Sequence, residues 1–365
     1  MLLVFPGPNS ATGEDLVELH CHGGRAVTAA VLAALAARPD VREALPGEFT
    51  RRSLSNGRID LAQAEGLADL LEAETEGQRR AALAASEGRV SAAVRGWLST
   101  VAGLSAQVEA TLDYAEEGDV AREAALLADI VTRAAALREE ILHVLTAPSV
   151  ERVRDGVRVV IGGPPNAGKS TLLNLLSERE AAIVSPISGT TRDRVEVPVQ
   201  RGGTAYLLID TAGLTDTADP VERIGVARAD EAIGAADVLV WLGDMPPPRD
   251  DVLWVHARAD LPGREGLPPG RELAISAGDS DSIQRLWAAV EQRAAGLLPA
   301  ADDLPSKNRQ RKACLLAAEQ LVLDGDPLLA AEQLRLASRA LGTVLGIDAT
   351  EAMLDALFER FCLGK

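Results

Sequence analysis

Gly163-Pro164-Pro165-Asn166-Ala167-Gly168-Lys169-Ser170 follows the apolar run Val157 to Ile161 and opens the helix-like stretch Thr171 to Ser177. Its two glycines let the backbone curl so that successive N–H groups face a phosphate chain. Lys169 adds a positive charge at the β/γ-phosphates, and the Ser170 hydroxyl can ligate Mg²⁺. Strand, glycines, lysine, hydroxyl and helix occur in the order a P-loop requires, which a plain Gly-rich turn would not need.

Working outward, residues 151–298 alternate strand and helix. Val157 to Ile161, Ala205 to Asp210, Asp237 to Leu242, Val252 to His256 and Glu272 to Ser276 are short apolar runs of the kind buried in a parallel sheet. A doubly wound α/β sheet, with its ligand at the C-terminal ends of the strands, is the expected fold.

Two further segments fall in register with the P-loop. Gly189-Thr190-Thr191-Arg192-Asp193 lies about twenty residues past Ser170, and Asp210-Thr211-Ala212-Gly213 ends the next strand. Both spacings suit a GTPase. Thr191 can ligate Mg²⁺ and donate to the γ-phosphate, Asp210 can hold a Mg²⁺-bound water, and the Gly213 N–H can sense the γ-phosphate. Leu214 stands where a Ras-type protein carries its water-orienting glutamine, so catalysis must be supplied otherwise. Asn166 is either a plain loop residue or, with Ser185, Ile187 and Thr190, an oxygen ligand for K⁺, which would replace an arginine finger. Pro186 and Ser188 complete the loop that leads into Gly189.

Base recognition is less regular. The usual Asn-Lys-x-Asp is here Ala257-Arg258-Ala259-Asp260. Asp260 can accept from the guanine N1–H and amino group, and Arg258 can stack on the base. Ala257 cannot hydrogen-bond, a loss of roughly 1 to 3 kcal/mol. Ser276-Ala277-Gly278 fits the loop that closes over the base. Guanine preference with weakened affinity is expected.

Residues 61–150 are Ala/Leu/Glu-rich with apolar residues at helical spacing, and helical patterns resume in 299–365. The α/β segment therefore reads as inserted into an all-α helical domain. Residues 1–60 mix strand-like Leu16 to Cys21 with a helix over Ala26 to Ala37, an α+β pattern. Within them His20-Cys21-His22 is either the start of a metal site or an ordinary strand end, since alternate residues on a strand face opposite sides. Lys307, Arg309, Arg311 and Lys312 either meet RNA phosphates or begin a solvated helix.

The net charge of −17 opposes non-specific adhesion to nucleic acid or anionic lipid. Cys21, Cys314 and Cys362 are three widely spaced cysteines without a CxxC, so neither a disulfide framework nor a zinc site is suggested and a reducing cytoplasm is expected. Met1 to Phe5 is too short for a signal-peptide core, and no apolar stretch approaches membrane-spanning length.

Taken together these pieces resemble the MnmE (TrmE) family of tRNA-modification GTPases over nearly the whole chain. Phe5 to Ser10 with Thr12 to Asp15, Pro46 to Thr50 and Leu61 to Glu65 look like that family's N-terminal domain and first helix. Gly163 to Ser170, Gly189 to Asp193 and Asp210 to Gly213 match its nucleotide motifs, and Phe361 to Lys365 is similar to its C-terminal Cys-x-Gly-Lys signature. The resemblance implies a folate-type α+β N-terminal domain and a GTPase domain inserted in the helical one. It also implies a homodimer across the GTP face and K⁺-dependent hydrolysis through Asn166, with Glu222 orienting the attacking water. The implied reaction modifies C5 of the wobble uridine of certain tRNAs, using a tetrahydrofolate one-carbon unit and an FAD-dependent partner, MnmG (GidA), in a heterotetramer. By the same match Glu18, Arg58 and Lys365 would bind folate, and Cys362 would take part in the chemistry. On residues alone Glu222 is a solvated helix-start acid and Cys362 a small core-facing thiol.

Three departures from that pattern stand out. The resemblance expects a front half of the N-terminal domain, with a folate-binding arginine and part of the dimer surface, before Met1. Ala257-Arg258 replaces Asn-Lys, and a short Pro-rich loop over Met245 to Pro248 replaces a helix. The competing readings are a ribosome-assembly-type GTPase, which would not need the front domain or Cys362 to Lys365, and a scaffold that binds nucleotide weakly.

Overall fold

The computed structural model describes residues 1–114, 120–178, 181–182, 195–211, 230–359 and 361. The chain divides into two compact units, one of residues 1–72, 82–147 and 304–365, the other of residues 73–81 and 148–303.

In the first unit, β1 (Leu2–Phe5) pairs antiparallel with β2 (Leu16–Leu19), and α1 (Arg25–Ala36) buries none of its residues. His20-Cys21-His22 follows the end of β2, with His20 hydrogen-bonded to Glu18 at 2.8 Å. Among the described residues no group of three or more His, Cys, Asp or Glu is placed to hold a metal ion. After α2 (Glu48–Ser55), the helices α3 (Leu61–Glu72), α4 (Glu76–Ser86, whose residues up to 81 count with the second unit), α5 (Arg89–Tyr114) and α6 (Val120–Val144) follow the Ala/Leu periodicity of the sequence. Val94, Leu104, Ile130 and Ile141 from α5 and α6 share one core with Ala317 of the helix Asn308–Gln320 and with Leu334 and Leu341 of the helix Pro327–Leu345. That last helix starts cleanly because the Asp326 carboxylate accepts from the Leu328 and Leu329 N–H groups and Pro327 has no N–H to satisfy. It ends at Gly346, where φ is 87° and an added Cβ would lie 2.7 Å from that of Leu61.

The basic cluster at the start of Asn308–Gln320 fits neither reading offered for it. Lys307 is buried, pairs with Asp69 at 2.6 Å and donates to the Glu65 carbonyl. Arg309 forks onto the Glu65 carboxylate at 2.8 and 3.0 Å and donates to the Thr343 carbonyl, while Arg311 donates to the Leu145 carbonyl at 2.6 Å. Only Lys312 of the four is exposed. Three of these cations therefore tie helices of their own unit together rather than facing solvent or phosphates.

In the second unit a seven-stranded sheet has the order β4-β5-β6-β3-β7-β8-β9. After the short helix α7 (Glu151–Asp155), its strands are β3 (Val157–Gly162), β4 (Ala181–Ala182), β5 (Val195–Arg201), β6 (Thr204–Asp210), β7 (Val238–Trp241), β8 (Val252–His256) and β9 (Leu273–Ala274). β6, β3, β7, β8 and β9 run parallel, while β5 is antiparallel to both β4 and β6. Alternation sorts the strand residues between two faces. Val157, Val159 and Ile161 pack with Leu172 and Leu176 of α8 (Lys169–Ser177) and with Ile283, Leu286 and Trp287 of the helix Ser280–Ala295; Val160 joins Ile209 and Leu239 on the other face. The parallel core matches the expectation. The antiparallel β5 and β4 were not foreseen.

Candidate nucleotide site

The P-loop leaves β3 at the centre of the sheet and delivers its lysine and serine to the first turn of α8. Two non-helical residues shape it. Asn166 has φ of 60° and Gly168, the residue before α8, has φ of 98°, a left-handed region where only glycine is free of steric cost. The Lys169 ammonium lies back over the loop, 3.0 Å from the carbonyls of both Gly163 and Pro164, so a cation is already held where phosphates would be cradled.

Asp210, at the end of the neighbouring β6, is buried, and its carboxylate accepts from the Ser170 hydroxyl. A hydroxyl and a carboxylate brought together from segments 40 residues apart make the oxygen pair that a hard divalent cation prefers. Thr211 is also buried, but its hydroxyl donates to the Ile161 carbonyl at 3.0 Å, so the side chain serves the sheet rather than the pocket.

On the far side of the loop a cavity of about 210 Å³ is lined by Ala167, Gly168, Thr171, Leu175, Ala257, Arg258, Asp260, Leu261, Ser276 and Ala277, among others. The sequence thus brings together the predicted base-reading residues Arg258 and Asp260 with the closing loop at Ser276 and Ala277. That loop is anchored by Ser282, whose hydroxyl accepts from the Ser276 N–H and donates to the Asp279 carbonyl. Arg258 adopts φ of 59°, rare for a side chain with a Cβ, and its guanidinium donates to the Asn166 carbonyl. The arginine therefore lies against the P-loop.

A second cavity, of about 410 Å³, opens on the other side of Arg258, between the P-loop residues Gly163 to Ala167 and the loop that follows β7. That loop, Leu242 to Asp251, is irregular, as its prolines predicted. Asp244 within it receives both terminal nitrogens of Arg264 at 3.0 Å, a pairing that holds its carboxyl below the ordinary carboxylate range through hydrogen bonding first. Sequence reasoning missed both Arg264 and Ser282, and no motif marks either.

The remaining predicted residues divide in two. Glu18 is exposed on β2 and bonded to His20, and Arg58 is exposed with its stem against Gly13. Gly278 lies in the loop that Ser282 anchors. Ser185, Pro186, Ile187, Ser188, Gly189, Thr190, Thr191, Ala212, Gly213, Glu222, Cys362 and Lys365 lie outside the described residues.

Comparison with known proteins points to one family. Residues 61–362 match the family model described as the MnmE helical domain, and residues 1–58 match that of the GTP-binding protein TrmE N-terminus. The chain belongs to the MnmE family. A tRNA modification GTPase MnmE of Rhizorhabdus wittichii is 51% identical over 369 residues, spanning 100% of this chain and 83% of that protein. Those of Erythrobacter litoralis and Sphingopyxis alaskensis are 50% and 47% identical, again over 100% of this chain and over 86% and 90% of theirs. Within this MnmE-family chain the P-loop, Asp210 and the base cavity all fall in the second compact unit.

Proposed function

We propose that the chain is a GTP hydrolase whose nucleotide cycle drives modification of C5 of the wobble uridine in certain tRNAs. The observation that carries the GTP site is the Ser170 hydroxyl bonded to the Asp210 carboxylate, with Lys169 folded over the P-loop beside them. Family membership carries the link to tRNA modification, since the relatives are named tRNA modification GTPases.

Ser170, Thr191 and, through water, Asp210 would hold Mg²⁺, which neutralises charge on the β- and γ-phosphate oxygens when bound. Lys169 binds the same oxygens, Arg258 covers the base and Asp260 accepts from its N1–H and amino group. Asn166 is exposed on the loop, and its amide oxygen, with oxygens of Ser185, Ile187 and Thr190, suits a monovalent cation such as K⁺. Glu222 orients the attacking water. Gly189 to Thr191 and Ala212-Gly213 act as the switches that sense the γ-phosphate.

In the same reading the domains are 1–60, a partial folate-binding-like domain; 61–150 and 299–365, the two parts of the helical domain; and 151–298, the GTPase domain inserted between them. Glu18 and Arg58 are both exposed, and a carboxylate with a guanidinium suits the pterin and the acidic tail of a tetrahydrofolate derivative, which supplies a one-carbon unit. Lys365 and Cys362 complete that site. The working assembly is a cytoplasmic homodimer joined to the FAD-dependent MnmG and to tRNA. No helix among the described residues is long and apolar enough to cross a membrane.

The direct test incubates the protein with GTP, Mg²⁺, K⁺, a methylene-tetrahydrofolate, the FAD-dependent partner and unmodified tRNA, then analyses the nucleosides by mass spectrometry. A mass gain at the wobble uridine that requires GTP supports the proposal. Modification that is absent, or independent of GTP, contradicts it.

A further inference from the structure

The loop that reads the base lacks the side-chain amide usual at its first position, yet it holds a costly shape. Ala257 offers no polar side chain, and Arg258 directly after it sits at φ of 59°. A left-handed conformation at a residue with a Cβ persists only when its surroundings hold it. Among those surroundings is Arg264, six positions on.

Arg264 Nε donates to the Ala257 carbonyl at 3.1 Å, and its two terminal nitrogens fork onto Asp244 Oδ1 and Oδ2 at 3.0 Å each. Its own carbonyl is 2.9 Å from His256 Nε2, and its N–H donates to the Leu261 carbonyl at 3.0 Å. Arg264 therefore closes the stretch from Ala257 to Leu261 into a ring fastened at both ends. The fork also fastens that ring to the loop after β7. Arg264 lines the 410 Å³ cavity behind Arg258 and does not line the base cavity, so any effect on the base passes through the loop.

We propose that Arg264 is a positioning residue for guanine recognition, clamping Ala257 to Asp244 so that Arg258 stays over the P-loop and Asp260 stays turned into the base cavity. The proposal rests on the reading of this site as a guanine-nucleotide site. Bidentate geometry matters because the planar fork fixes direction as well as distance, which a lysine ammonium would not do.

The test compares GDP with IDP, whose base lacks the 2-amino group that Asp260 would accept, by titration calorimetry in Mg²⁺. Wild-type protein should prefer GDP. Arg264→Ala should weaken GDP binding by about tenfold or more and IDP binding by less, so the GDP/IDP preference shrinks toward one. Asp244→Asn, a change at a carboxylate whose side chain is 65% exposed, should shrink the preference in the same direction and decides the matter if Arg264→Ala does not fold. An unchanged GDP/IDP ratio in the folded variant overturns the proposal, even if both affinities fall together, because that pattern describes a merely structural residue. Absence of GDP binding by the wild type would instead overturn the reading of the site, and this proposal with it.

Discussion

Glu65→Ala probes the first unit at the point where the sequence was hardest to read. The Glu65 carboxylate accepts from Arg309 Nε at 2.8 Å, Arg309 Nη2 at 3.0 Å and Gln310 Nε2 at 2.9 Å, and the residue is 9% exposed. Truncation leaves the guanidinium fork and the Gln310 amide without their acceptor. Breaking a buried pair by removing one partner costs about 3 to 5 kcal/mol, and because the Arg309 side chain is 29% exposed, water recovers part of that, placing the loss at about 3 kcal/mol. That is more than a hundredfold in the local folding equilibrium, roughly two factors of ten at about 1.4 kcal/mol each. Hydrogen exchange of the α3 and Asn308–Gln320 amides, with urea unfolding alongside, reads it directly. Arg309→Ala should cost a similar amount, and the double variant much less than the sum of the two. A loss under about 1 kcal/mol, or additive losses, would refute the account of Arg309 as a tie between helices.

Three other outcomes follow from the site and its surroundings. Asp260→Asn should move nucleotide preference from GTP toward XTP, read by competition binding, because the new amide donates where the carboxylate accepted; an unmoved preference would remove Asp260 from base recognition. Substituting Na⁺ for K⁺ should depress GTP turnover if Asn166 ligates the cation, and equal rates in both salts would remove that role. Glu48 is held down to about 2 by the Arg42 guanidinium first, then by the Leu45 N–H and Arg52. A folded value below the ordinary one means that its stabilisation is complete above the usual carboxylate range of about 4.3 and is lost as pH falls toward 2. A carboxyl NMR titration of Glu48 with its midpoint in the ordinary range would contradict the ion-pair cluster.

What could be read without coordinates was local. The P-loop, the five strands of the parallel core and the main helices each carry their signal within a dozen or so neighbouring residues, as periodicity or as a motif. β5 was missed although Val195, Val197 and Val199 alternate with Glu196, Pro198 and Gln200, because Pro198 argues against a strand interior. Among the described residues, β4 pairs with Val199 and Gln200, and the proline lies one residue beyond those two. Lys307, Arg309 and Arg311 were misread for the opposite reason. The acids that pair with Lys307 and Arg309, Asp69 and Glu65, are more than two hundred residues upstream, and only their spacing of four, on one face of an Ala/Leu helix, hinted that they were turned inward; Arg311 bonds the Leu145 carbonyl, 166 residues upstream. Arg264 left no trace, since a lone arginine in a loop gains its meaning from Asp244 and the Ala257 carbonyl, which only the fold supplies.

Steady-state GTP hydrolysis by the wild-type chain and by Lys169→Ala, in Mg²⁺ and K⁺, tests the central claim most directly. The account predicts turnover in the wild type, its loss on chelating Mg²⁺, and a fall of about a hundredfold or more when the P-loop ammonium is removed. Equal turnover in both proteins, or none in the wild type, would contradict it.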